Sequence, residues 1–143
     1  GMALTALAGP AANLLLAYLG MVVWKILYYW APTTMITIFA ARFLQYLVMM
    51  DVGLAVFNLI PIPPLDGSRI VSWLLPPKAS AKYNRIELYT RYILLALVVL
   101  TWLPAPFSNI VDWVFFPVDW LRGVLVNAFT GFWDLIFGLI WKL

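Results

Sequence analysis

Residues 34–67 read TMITIFAARFLQYLVMMDVGLAVFNLIPIPPLDG, and this stretch decides the architecture. From Thr34 to Ile60 the chain is a long apolar run interrupted by Arg42 and Asp51. At about 1.5 Å per helical residue, such a run crosses a hydrocarbon core of about 30 Å. Pro61, Pro63 and Pro64 then stop it, because each lacks the backbone N–H that a helix needs and crowds the preceding turn. Backbone that leaves a helix near membrane depth survives only where protein or a water cavity shelters it. The stretch therefore predicts a membrane span followed by a sheltered, irregular turn.

Upstream, residues 11–29 form a second apolar run with one charge, Lys25, close enough to Tyr28, Tyr29 and Trp30 to snorkel to an interface. Gly9-Pro10 stands where this helix is expected to begin, a position at which proline forfeits only an N–H that is unpaired anyway. Ala31-Pro32-Thr33 makes the turn between the two runs. Downstream, residues 68–91 are the polar part of the chain and hold Arg69, Lys78, Lys82, Arg85 and Arg91 against Glu87. Lys78, Lys82 and Arg85 share one helical face, which suits a solvated connector or a helix resting on anionic lipid. Residues 92–111 are uncharged and broken by Pro104 and Pro106, so a third span is expected to end near Leu103.

Phe107, Trp113, Phe115, Phe116 and Trp120 resemble an aromatic belt. In the last candidate helix, residues 121–141, the small and polar residues Gly123, Asn127, Thr130, Gly131, Asp134 and Gly138 fall on one stripe. Arg122 is about 18 Å from Asp134 along a helix and cannot neutralise it. An amphipathic helix lying at the interface is expected, with a stripe packed against another helix as the alternative.

Composition agrees with lipid as the surrounding solvent. Hydrophobic residues are 65% of the 143 and charged residues 10%, against about 45–50% and about 25% in soluble domains. The expected fold class is an all-α, polytopic membrane helix bundle: three spans and a C-terminal amphipathic or membrane helix. It forms a single membrane domain over 1–143, with residues 1–104 as core and 105–143 as an aromatic-rich extension. A net charge of +3, dispersed along the chain, argues against nucleic acid. The absence of cysteine excludes disulfides and thiolate chemistry, and there is no histidine. No signal-peptide pattern opens the chain, which reads as though it began inside a longer protein. Five of the nine basic residues lie in 68–91, so that loop is expected to be cytoplasmic and the 102–113 region to face the other side.

Three features carry possible chemistry. Gly9, Asn13, Ala17 and Gly20 share a helical face; small residues there admit a close helix neighbour, and Asn13 is either an interhelical hydrogen-bonding group or part of a site. Asp51, Ala55 and Asn58 share another face. A carboxyl at that depth belongs in the protein interior or a cavity, with Lys25 and Arg42 as candidate partners. The third feature is Asn58 to Gly67, where Asp66 follows the proline break. Asp66 suits a hard metal such as zinc, an ordinary turn, or a cap on the next helix.

Asn58-x-x-Pro61-x-x-Pro64-Leu65-Asp66-Gly67 after an apolar helix, with Gly9-Pro10-x-x-Asn13 upstream, resembles the site-2 protease family of intramembrane zinc metalloproteases. The likeness covers residues 3–103 and is closest to compact members without a PDZ domain. It implies zinc in the complete enzyme, with Asp66 as a metal ligand. Gly9, Asn13, Asn58, Pro61, Pro64 and Gly67 would lie near the active site or the substrate. In the family an H-E-x-x-H helix, upstream of the Gly-Pro-x-x-Asn helix, supplies two histidine ligands and the glutamate base. Neither it nor any histidine is present in this chain. The resemblance therefore implies the C-terminal membrane portion of such an enzyme, with no catalytic base present and no zinc held by this portion alone. Its partners would be the bilayer of a prokaryotic cell and a transmembrane substrate. The rival reading is a catalytically inactive membrane protein that binds transmembrane helices.

Overall fold

A computed structural model of the chain describes residues 2–104 and 106–141 and is helical throughout its ordered elements. The order is α1 (Met2–Trp30), α2 (Met35–Asn58), α3 (Asp66–Leu74), α4 (Pro77–Asn84), α5 (Glu87–Leu100) and α6 (Phe107–Trp141). Three helices are long and apolar enough to cross a membrane: α1 over Leu4–Trp30, α2 over Met35–Asn58 and α6 over Ser108–Ile140. The chain is an all-α polytopic membrane protein.

The first helix starts earlier than Gly9-Pro10, and Pro10 sits buried inside it. Interior prolines persist in membrane helices because neighbouring helices compensate for the missing donor. The second helix begins as its sequence dictates. Thr34 accepts from the Thr37 N–H at 3.3 Å, and the Thr34 N–H donates to Thr37 Oγ1 at 2.9 Å. This reciprocal pair satisfies donors that a helix start leaves open. Small residues then bring α1 and α2 together. Ala17 and Gly20 are buried, and a Cβ on Gly20 would lie 3.2 Å from Val48 Cγ2. Met21, Val48, Val52 and Val56 complete the centre.

The C-terminal region departs most from expectation. Pro117 does not break the helix, and α6 runs 35 residues. Of the expected third span, α5 holds 14 residues, about 21 Å and short of the roughly 20 residues a span requires; α6 is the third helix of spanning length. Phe115 lies 5.7 Å from Phe57, centroid to centroid, so this part of α6 stands beside the end of α2. Trp113, Phe116 and Trp120 are exposed, as a lipid-facing belt requires, whereas the Phe107 side chain falls outside the described residues.

The interface-lying arrangement of the last segment is not what forms. Val118, Leu125, Val126, Phe129 and Trp133 pack onto the α1–α2 core. The partner that Asp134 lacked on its own helix comes from α1: Lys25 Nζ is 2.5 Å from Asp134 Oδ1, and the Tyr29 hydroxyl donates to the same oxygen at 3.2 Å. The alternative, a stripe packed against another helix, forms in part: Thr130 and Asp134 meet Met21 and Lys25 of α1, whereas a Cβ at Gly123, Gly131 or Gly138 would meet nothing within 4 Å. Aromatic bulk docks α6, and the ion pair fixes its register. Lys25 is therefore not the partner of Asp51, and Arg42 is exposed. Asp51 has one buried carboxylate oxygen without a hydrogen-bond partner.

The Lys25 side chain is 6% exposed and that of Asp134 is 45% exposed. Removing the carboxylate strands a buried cation, which costs about 3–5 kcal/mol when a buried pair loses one member. Asp134→Leu should lower stability by about that order, and adding Lys25→Met should recover most of it. Reversible denaturation in detergent micelles, followed by tryptophan emission, measures both effects. Equal stabilities for parent and Asp134→Leu would show that the pair contributes nothing.

Candidate metal-ligand turn

The turn after α2 is shaped by missing donors. Leu59 still donates to Ala55 O and Val56 O, each at 3.2 Å, as the helix runs out. Beyond it the remaining amides pair locally, Ile62 N with Ile60 O at 2.8 Å and Leu65 N with Ile62 O at 3.0 Å. The prolines contribute carbonyls but no N–H. Two of those carbonyls are taken by side chains from later in the chain. The Tyr83 hydroxyl donates to Pro61 O at 2.6 Å, and the Thr90 hydroxyl makes a short contact with Pro63 O. Burial pushes the Tyr83 phenol above its ordinary value, so it remains a protonated donor across the neutral range.

Asp66 opens α3, with Leu65 as its N-cap in extended conformation. A carboxylate there interacts favourably with the open N–H groups of the first turn. Ser68 returns to the turn, its Oγ donating to Leu65 O at 2.7 Å and its N–H at 3.1 Å. Gly67 is required by space. A Cβ on it would lie 2.2 Å from Leu59 O and 2.6 Å from Ile60 O, so the start of α3 rests on the backbone that ends α2.

The structure brings two of the candidate site residues together. A Cβ on Gly9 would stand 3.0 Å from Asp66 Oδ2. Helix α1 thus passes the carboxylate at a distance that leaves no room for a side chain without adjustment. Asn13 and Asn58 are half-buried, and no hydrogen bond joins either to Asp66 among the described residues. Pro61 and Pro64 are exposed at the turn, while Pro63 is buried. Tyr83 and Thr90 were not marked by sequence reasoning. A tyrosine and a threonine in a polar connector are ordinary there, and only the fold shows which carbonyls they reach.

As a zinc centre, this arrangement fits in part. A hard carboxylate oxygen held at a turn, with Gly9 as its close neighbour on α1, has the donor chemistry that zinc takes. Catalytic zinc takes three protein ligands, however. Among the described residues no three of Asp, Glu, His and Cys converge. At this turn the described residues set one carboxylate, that of Asp66, beside Gly9.

The two glycines should differ in their response to a methyl group. Gly67→Ala must displace backbone, and overpacking of this kind costs about 1–3 kcal/mol. Gly9→Ala meets only a movable carboxylate and gains helix propensity of up to about 1 kcal/mol, so its stability should stay within that margin of the parent. Denaturation midpoints in micelles rank the two; a Gly67→Ala protein as stable as Gly9→Ala would refute the close contact.

Comparison with known proteins finds relatives of this chain. The profile of peptidase family M50 matches residues 25–101. The chain is 33% identical over 113 residues to a Bacillus subtilis (strain 168) protein named "Putative zinc metalloprotease YwhC", covering 77% of this chain and 49% of that one. It is 31% identical over 137 residues to "Putative zinc metalloprotease Rip2" of Mycolicibacterium smegmatis, covering 94% of this chain and 51% of that one. The chain spans about half the length of these curated relatives. No solved structure matches. With more than half of its residues inside the family profile and the Leu-Asp-Gly turn set against its first helix, the chain belongs to peptidase family M50, the site-2 protease family.

Proposed function

We propose that this chain is the C-terminal membrane portion of a zinc metalloprotease that hydrolyses peptide bonds in or near transmembrane segments. The observation that supports the reading is the seating of Asp66 against Gly9, which sets a carboxylate beside the helix that bears Gly9-Pro10-x-x-Asn13. Bound zinc in such enzymes polarises the scissile carbonyl and lowers the pKa of a water molecule. The contribution of this chain is more limited. Asp66 holds the metal from one side, Gly67 fixes the direction of its carboxylate, and Gly9, Asn13 and Asn58 line the approach. The remaining ligands and the general base come from an H-E-x-x-H helix outside these 143 residues. Residues 1–104 form the core portion and 105–143 an extension that completes the bundle. The basic 68–91 connector faces the cytoplasm of a prokaryotic cell, following the distribution of lysine and arginine.

Two measurements test this. The 143-residue chain should retain no stoichiometric zinc after dialysis against a mild chelator, because one carboxylate is a poor site; retention would overturn the division of ligands. In a longer protein that joins this chain to an upstream H-E-x-x-H segment, Asp66→Ala should abolish stoichiometric zinc and lower cleavage of a transmembrane model substrate by at least about 100-fold. Zinc kept at full occupancy by Asp66→Ala would remove Asp66 from the site and favour a chain that only grips transmembrane helices.

A further inference from the structure

The proline turn presents a mechanical problem that its own residues do not solve. Three of the four residues from Pro61 to Pro64 lack an N–H, so local backbone bonding cannot pin them. Gly67 and Ser68 anchor the turn at its far end, against Leu59, Ile60 and Leu65. Between these anchors, the contacts on Pro61 O and Pro63 O come from α4 and α5, 22 and 27 residues downstream. Neither helix has a buried residue of its own; besides their bonds to the turn, α4 is tied to α3 by Ser80 and Asn84, which meet Ser72 Oγ at 2.5 and 3.1 Å, and α5 contacts α6. The Thr90 hydroxyl also lies 3.2 Å from Ile86 O within its own helix. Glu87 O lies at 3.4 Å, and Pro63 O is the nearest of the three acceptors.

We propose that Tyr83 and Thr90 are positioning residues for Asp66: by holding the carbonyls of Pro61 and Pro63, they set where the Asp66 carboxylate stands relative to α1. This rests on the reading of Asp66 as a metal ligand, and deepens it. Groups that orient a ligand without touching the metal characteristically change metal affinity by about 10–100-fold when lost.

The direct readout is geometric and needs no metal. Gly9→Cys and Asp66→Cys introduced together in the 143-residue chain should form a disulfide under mild oxidation, because the two positions are in contact. Adding Tyr83→Phe or Thr90→Val should slow that reaction about fivefold, the change that loss of one ordinary hydrogen bond supports. Thr90→Ser should restore the parent rate. A second pair, Met21→Cys with Thr130→Cys, reports the α1–α6 contact, where the native side chains approach to 3.9 Å. Its rate should not change, which separates a displaced turn from an unfolded bundle. Unaltered Gly9–Asp66 crosslinking in both variants would overturn the proposal.

The second readout is zinc affinity by chelator competition in the longer protein with its histidines. Tyr83→Phe and Thr90→Val should each weaken binding about 10–100-fold, with Thr90→Ser close to parent. If the parent binds zinc and the variants bind it equally well, positioning toward the metal is wrong. If the parent binds none while the crosslinking rates respond, the turn is positioned as described and the metal-ligand reading fails.

Discussion

Between Leu59 and Leu65 the chain leaves a helix, and the backbone groups that the helix no longer pairs are held by local bonds and by side chains from later in the chain. Three prolines lower the number of donors to be satisfied but leave all the carbonyls in place. The fold meets this with three kinds of contact: short-range amide bonds at Ile62 and Leu65, close backbone packing at Gly67, and hydroxyl donors from Tyr83 and Thr90. The direction of α3, the placing of Asp66 and the attachment of α4 and α5 all follow from it. A glycine at position 67 and prolines before it are thus one device. The prolines end α2, and the glycine allows the next helix to begin against the carbonyls just left behind.

Charge in the membrane region obeys a second constraint. Lys25 and Asp134 are each expensive alone in lipid. Together they are compatible with it, and they join helices whose other contacts are non-directional. The aromatic face of α6 can slide or rotate over the α1–α2 core at modest cost, whereas a 2.5 Å ion pair cannot. Arg122 meets the same constraint locally, bonding Asp119 one turn away at 2.9 Å while its stem lies over Gly53.

The first two spans, the proline break and the Leu-Asp-Gly turn were legible because hydropathy and missing donors act through neighbours in sequence, whereas the third spanning helix is α6 and not the expected segment ending near Leu103. What was not legible depends on neighbours in space. Asp134 looked unpaired because its partner is 109 residues away on the opposite end of the chain. An interface-lying helix then followed from sound reasoning about the wrong set of cations. Proline is tolerated inside membrane helices, and with Pro117 inside α6 the aromatic belt and the last segment merge into one helix. The contact of Gly9 with Asp66 was foreshadowed by the family resemblance, which set both near one site, and by the small residues on that face of α1. Their spacing announces that something comes close, without saying what.

Gly9 and Lys25 lie on one uninterrupted helix, 16 residues apart. At about 100° and about 1.5 Å per residue, they are separated by about 24 Å along the axis and face almost opposite directions, about 160° apart. Helix α1 is thus gripped at one end by α6 through an ion pair and touched at the other by the carboxylate of α3. One helix therefore carries both the contact with Asp66 and the tie to the C-terminal extension, which lies outside the family profile.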